Sequence, residues 1–93
     1  MPLEKLRSDV ATAEAAVSRC VSVLLSQSQF DALVDFTYNV GSGAFSRSTL
    51  LRDVNAGLGA NDIANDFMMW TKGGYGIVRR AQEADMFNYG IYP

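Results

Sequence analysis

The groups in this 93-residue chain that could move protons are few: glutamate stands only at 4, 14 and 83, and histidine is absent. Without histidine, the Ser-His form of nucleophilic catalysis is excluded for Ser46, Ser48 and the other serines, and so is the most frequent metal ligand. Cys20 is the single cysteine. It can form no disulfide within the chain and no cysteine cage for a metal, and it reads as a small buried apolar residue. Asp31 and Asp35 are four apart on a helix, so their carboxylates share one strip. A sugar-cleaving pair must instead flank a bond from opposite sides of a cleft, and a solvated helix face is the expectation here. Gly73-Gly74-Tyr75-Gly76 lacks the Lys-Ser/Thr ending and the preceding strand of a phosphate loop.

Two groups are more informative. Arg79 and Arg80 fall in the first turn of a helix, where the macrodipole disfavours cations, and Glu83 lies within reach as a partner. Tyr38 lies on a helix whose other positions are mostly apolar. Its hydroxyl needs a partner or water, which suits an aromatic at the edge of a groove, able to stack on a sugar. Trp70 continues the Ile63-Phe67 stripe and is expected in the core.

These side chains must be positioned by a small, single core. Hydrophobic residues make up 48% and charged residues 19%, the composition of a chain that folds and not of a disordered tail. A two-lobed enzyme with a deep cleft does not fit this length. Eight basic against ten acidic residues leave a net charge of -2, which argues against a nucleic-acid surface. The basic residues are nevertheless concentrated at Arg47, Arg52, Lys72, Arg79 and Arg80. Apolar runs are too short for a membrane span, and Met1-Pro2-Leu3-Glu4 does not resemble a signal peptide, so the expected site of synthesis is the cytoplasm.

Leu3, Leu6, Val10, Ala13 and Val17 recur at steps of three and four, which predicts an amphipathic helix over 3–19. Ser26 and Gln29 form a capping-box pair that opens a second helix, 27–40, whose apolar residues cover most of the wheel and place it at the centre. Gly41 stops it, and GSG at 41–43 reads as a turn. Ser46 is expected to cap a third helix running to Val54 and ended by Gly57, and Asn61 to cap a fourth that holds Ile63, Ala64, Phe67, Met68 and Trp70. After the break at 71–76, Ile77 to Tyr89 forms a fifth, ended by Gly90. The expectation is an all-α domain, 1–93, of about five helices with its core in 27–90.

The segments Gln29–Phe45, Arg47–Gly57, Trp70, Gly73-Gly74 and Gly76–Ala84, in that order and spacing, resemble the C-terminal lobe of the phage-type (T4-lysozyme-like) lysozymes, family 24 of the glycoside hydrolases. Residues 4–19 resemble the long helix that joins the two lobes of that family. The resemblance implies a compact helical bundle and cleavage of the β-1,4 bond between N-acetylmuramic acid and N-acetylglucosamine in peptidoglycan. It also implies that the catalytic Glu, and the Asp and Thr that follow it in a small β-sheet, belong to an N-terminal lobe that has no counterpart in these residues. No catalytic residue, metal ligand or cofactor is therefore assigned. Carried over position by position, Tyr38 matches the aromatic that borders the substrate cleft and Ser48 a hydroxyl at the start of the next helix. Ala64 falls where the family has a substrate contact and can make none. Family members without a leader are made in the cytoplasm, wait for a holin, and act on the periplasmic cell wall.

Three readings compete. The chain is a truncated or divergent endolysin that keeps part of a glycan-binding wall and is inactive alone, paired with a separate N-terminal lobe or self-associating through its exposed face. It is instead a helical interaction or regulatory module on this scaffold, docking through the face of Leu3, Leu6 and Val10. Or it is a complete muramidase that uses unrecognised carboxylates such as Glu14 or Asp35.

Overall fold

The computed structural model describes residues 3–74 and 76–93, with side chains from residue 9 onward. Met1, Pro2 and Tyr75, and the side chains of Leu3 and Leu6 in the first stripe, therefore lie outside what is described. The described residues form six α-helices in order, α1 Leu3–Cys20, α2 Gln27–Val40, α3 Ser42–Ser46, α4 Thr49–Asn55, α5 Ala60–Met68 and α6 Ile77–Tyr89, with a 3-10 turn at Lys72–Gly74. No strand occurs among the described residues, and the fold is all-α as expected. No described helix is long and apolar enough to cross a membrane.

The helix missing from the sequence reading is α3. The GSG segment was expected to be a turn, but only Gly41 turns, with φ of +99° that suits glycine, and the chain re-enters a helix at Ser42. This extra helical turn delivers Phe45, fully buried, into the core. Two expected caps move as a result of the local backbone. Ser46 is the last residue of α3 and donates to the Gly43 carbonyl at 2.8 Å, while Ser48 caps α4. Asn61 lies inside α5, which opens one residue earlier after Gly59 with no side-chain cap. The capping box at Ser26 and Gln29 forms in both directions, at 3.2 and 2.9 Å.

α2 is the centre of the molecule, packed against α1, α3 and α6, while α5 packs against α4 and α6. Its residue Phe36 organises the core. The ring meets Phe45, Phe67 and Trp70 edge-on, with centroids 6.4, 5.6 and 5.4 Å away, the arrangement favoured by aromatic quadrupoles. Trp70 is half-buried and packs on this cluster, as its stripe predicts. Cys20 also packs on the core, although half-buried and not fully enclosed. Asn55 ties the α1–α2 link to α4: its amide donates to the Cys20 carbonyl at 3.1 Å and accepts from the Ser22 amide at 2.8 Å.

Candidate functional site

Tyr38 lies in the last turn of α2, next to Thr37 and two positions after Phe36, both of which face the core. Its ring is 37% exposed and borders two depressions. One, of about 330 Å³, lies between α1, α2 and the start of α3 and is lined by Asp9, Thr12, Ala13, Thr37, Gly41 and Ser42. The other, of about 450 Å³, runs along α1 and α2 and is lined by Val10, Glu14, Phe30, Asp31, Val34 and Asp35. An aromatic face between a polar and a largely apolar hollow is the arrangement that binds a pyranose, whose C–H face stacks while its rim hydroxyls need polar partners. Thr37 adds to the polar hollow. It is 1% exposed and its hydroxyl oxygen has no hydrogen-bond partner among the described residues. That position was missed in the sequence, although a threonine among apolar neighbours on a central helix is the signal that could have marked it.

Ser48 is not brought to this place. It lies over a separate hollow of about 300 Å³ with Arg47, Thr49, Arg52 and Asn55. It is 8% exposed, its hydroxyl donates to the Phe45 carbonyl at 2.7 Å and accepts from the Leu51 amide at 3.0 Å. With its proton committed, Ser48 has only an acceptor lone pair to offer a ligand. Ala64 is half-buried against the core.

The carboxylates form a connected rim on the other side of Tyr38. The expected solvated strip of Asp31 and Asp35 is instead half-buried and partnered, because α6 and the tail after it fold across α2. Asp31 accepts from the Gln27 amide at 2.8 Å and from the Tyr92 hydroxyl at 2.5 Å, a bond that raises the tyrosine pKa by stabilising its protonated form. Asp35 pairs with Arg79 at 3.2 Å. Asp31, Asp35, Arg79 and Tyr92, with Val78, Gln82, Glu83 and Met86, line a fourth hollow of about 630 Å³. The two arginines thus divide their work. Arg79 is exposed and reaches α2 from outside. Arg80 is 3% exposed, stacks over the Phe36 ring at 5.1 Å, and bonds Asn39, the Trp70 carbonyl and Glu83. Glu83 is the within-helix partner expected for them, at 2.5 Å from Arg80.

Glu83 is 1% exposed. Burial pushes its pKa up to about 8, the neighbouring Asp35 carboxyl adds to the rise, and Arg80 opposes it. Its Oε2 has no hydrogen-bond partner among the described residues, and burial together with the Asp35 carboxyl favours a proton on Glu83 over a bare carboxylate. Such a group is a competent proton reservoir, but it sits behind Asp35 and not across a bond from it. No described cluster of His, Cys, Asp or Glu has the three members needed to hold a metal ion.

The chain is 46% identical over 92 residues to the endolysin of Bacillus phage PZA, covering 94% of this chain and 35% of that protein. It is 36% identical over 88 residues to the endolysin of Salmonella phage P22, covering 90% and 60%. Among solved structures it superposes on the endolysin from Escherichia coli O157:H7 phage FAHEc1 with a TM-score of 0.84, at 34% identity over 100% of this chain and 66% of that one. On the muramidase domain of SpmX from Asticaccaulis excentricus the TM-score is 0.79, at 38% identity over 88% and 61%. The chain spans between about a third and two thirds of the length of these relatives. A family model described as phage lysozyme matches residues 3–84, and the chain belongs to the phage lysozyme family.

Proposed function

We infer that this chain is the helical, glycan-facing wall of a peptidoglycan muramidase, and that it binds glycan through Tyr38 without cleaving it unaided. The observation that carries this reading is the exposed Tyr38 ring standing between a polar and an apolar hollow on the central helix. Cleavage of a β-1,4 glycosidic bond needs an acid and a second carboxylate on opposite sides of the sugar. Here Asp31 and Asp35 are engaged with Tyr92 and Arg79 on one wall, and Glu83 lies behind them. The opposing acid is therefore assigned to a complementary lobe, in keeping with the greater length of the relatives named endolysin and muramidase. Ser48, over its separate hollow, has one acceptor lone pair to offer a glycan strand that reaches beyond the Tyr38 face.

The test is co-sedimentation with isolated peptidoglycan sacculi, with soluble muropeptides measured by mass. The folded chain is expected to pellet with sacculi and to release nothing. Release of fragments with new reducing ends would overturn the assignment of an inactive wall. Failure to pellet above a folded control protein would overturn glycan binding.

The apolar hollow of Val10, Phe30 and Val34 favours a second reading, a docking face for another protein. On that reading Val10→Asp abolishes association while Tyr38→Ala and Ser48→Ala leave it intact.

A further inference from the structure

α4 and α5 pack side by side, and each buries one carboxyl at their contact: Asp53 is 7% exposed and Asp66 6%. Both stand in the last turn of their helices, Asp53 two residues before the end of α4 and Asp66 two residues before the end of α5. The negative end of a helix macrodipole disfavours an anion, so neither site suits a carboxylate. The compensating cation is Arg52, which reaches Asp53 Oδ1 through one nitrogen at 3.2 Å while its own side chain is 74% exposed. Asp66 Oδ2 is buried with no hydrogen-bond partner among the described residues. A buried, orphaned carboxyl oxygen beside a second carboxyl is satisfied by one proton held between the two.

We propose that the α4–α5 contact is a proton-dependent latch, closed while Asp53 and Asp66 share one proton and loosened when that proton leaves. The charged groups that act on the pair are Arg52 on α4 and Asp62 on α5. Of the charged groups on α6, which also packs against α5, Arg79 and Arg80 are bonded toward α2, Glu83 is bonded to Arg80, and Asp85 is exposed, while α3, packed against α4, carries no charged residue. Burial, then the hydrogen bond and charge of Asp53, lift Asp66 from 3.8 to about 6. The same shared hydrogen bond holds Asp53 below its ordinary value. A raised acid stabilises the closed form below its free pKa and loses that contribution as pH climbs to the bound value. The opening equilibrium of α4–α5 therefore grows by up to tenfold per pH unit, about thirtyfold between pH 4 and 6, and levels off above about pH 7. Below this window Asp53 protonates and the latch loses its charge-assisted bond, so it is tightest near pH 4. α4 begins at Ser48, so opening also displaces that hydroxyl. The latch does not depend on what the Tyr38 face binds.

The test is an NMR titration of the folded chain between pH 4 and 7.5, following the Asp66 carboxyl carbon and the amide-exchange protection of α4, α5 and α2. The expected result is an Asp66 midpoint near 6, with protection in α4 and α5 falling through that window by more than protection in α2. Asp66→Asn, and separately Asp53→Asn, removes this dependence. An Asp66 midpoint at the ordinary value overturns the latch. So does a high midpoint with α4 and α5 protection flat, or falling only in step with α2, which would assign the effect to global unfolding.

Discussion

Glu83 places an ionisable group where water cannot reach it, with Arg80 on one oxygen and only another carboxyl near the second. Because its folded pKa is raised from 4.5 to about 8, the fold keeps a proton that the unfolded chain releases within that window. Stability is fully present below the unfolded value and declines as pH rises through the folded one, with up to tenfold per unit in the unfolding equilibrium. Between pH 7 and 8 the Asp66 change is nearly complete and Glu83 accounts for most of what remains. Urea midpoints are expected to fall over that interval in the wild type and to stay level in Glu83→Gln, whose amide still accepts from Arg80 and donates to Asp35. Tyr38 makes the opposite case, since its ring is exposed and the core does not need it. Tyr38→Ala is expected to leave the urea midpoint within about 0.5 kcal/mol of wild type. Its affinity for sacculi should fall about three- to tenfold, the loss of one aromatic contact of about 0.5–1.5 kcal/mol. Equal pelleting of the two proteins would remove Tyr38 from the wall.

At the scale of elements, the helices are too short to stand alone. α4 has 7 residues and α5 has 9, well below the length at which an isolated helix persists in water. Caps and partners therefore decide where they begin. Ser26→Ala removes one half of a capping box on α2 and is expected to cost about 1 kcal/mol, read from the urea midpoint. Ser48→Ala removes a buried cap and also strips the Phe45 carbonyl of a donor, so the cost should be larger, about 2 kcal/mol. A cost of Ser48→Ala below that of Ser26→Ala would show that the two bonds of Ser48 contribute little. Sacculi binding of the same variant, corrected for its folded fraction, separates the capping role from a contact with glycan.

For the whole molecule, one ring holds several helices in place. Phe36 on α2 touches Phe45 of α3, Phe67 of α5, Trp70 beyond it and Arg80 of α6. Phe36→Ala is expected to cost about 3–5 kcal/mol, comparable with the total stability of so small a chain. Loss of near-UV dichroism and a red shift of Trp70 emission at 25 °C would report it, whereas Phe36→Leu should keep the fold. A folded Phe36→Ala protein would mean that the four contacts are redundant.

Much of this architecture was legible in the amino-acid order, because periodicity and capping chemistry are local. The stripe of α1, the capping box of α2, the stop at Gly41, the buried character of α2 and the extent of α6 all follow from residues within a few positions of one another. The resemblance to the phage-type lysozymes rests on the same local strings and matches Tyr38 to the aromatic that borders the family's cleft. The errors were also local. α3 went unread because GSG looks like a turn, and Phe45, which pulls that segment into a helix, is rewarded only by Phe36 on another element. What tertiary structure alone decided concerns pairs distant in sequence. Asp53 and Asp66, Asp35 and Glu83, and Arg80 and Asn39 meet only when α2, α4, α5 and α6 pack. No spacing rule in the sequence encodes the burial that makes a carboxyl keep its proton. Desolvation depends on everything around a group, and that exists only once the chain has folded.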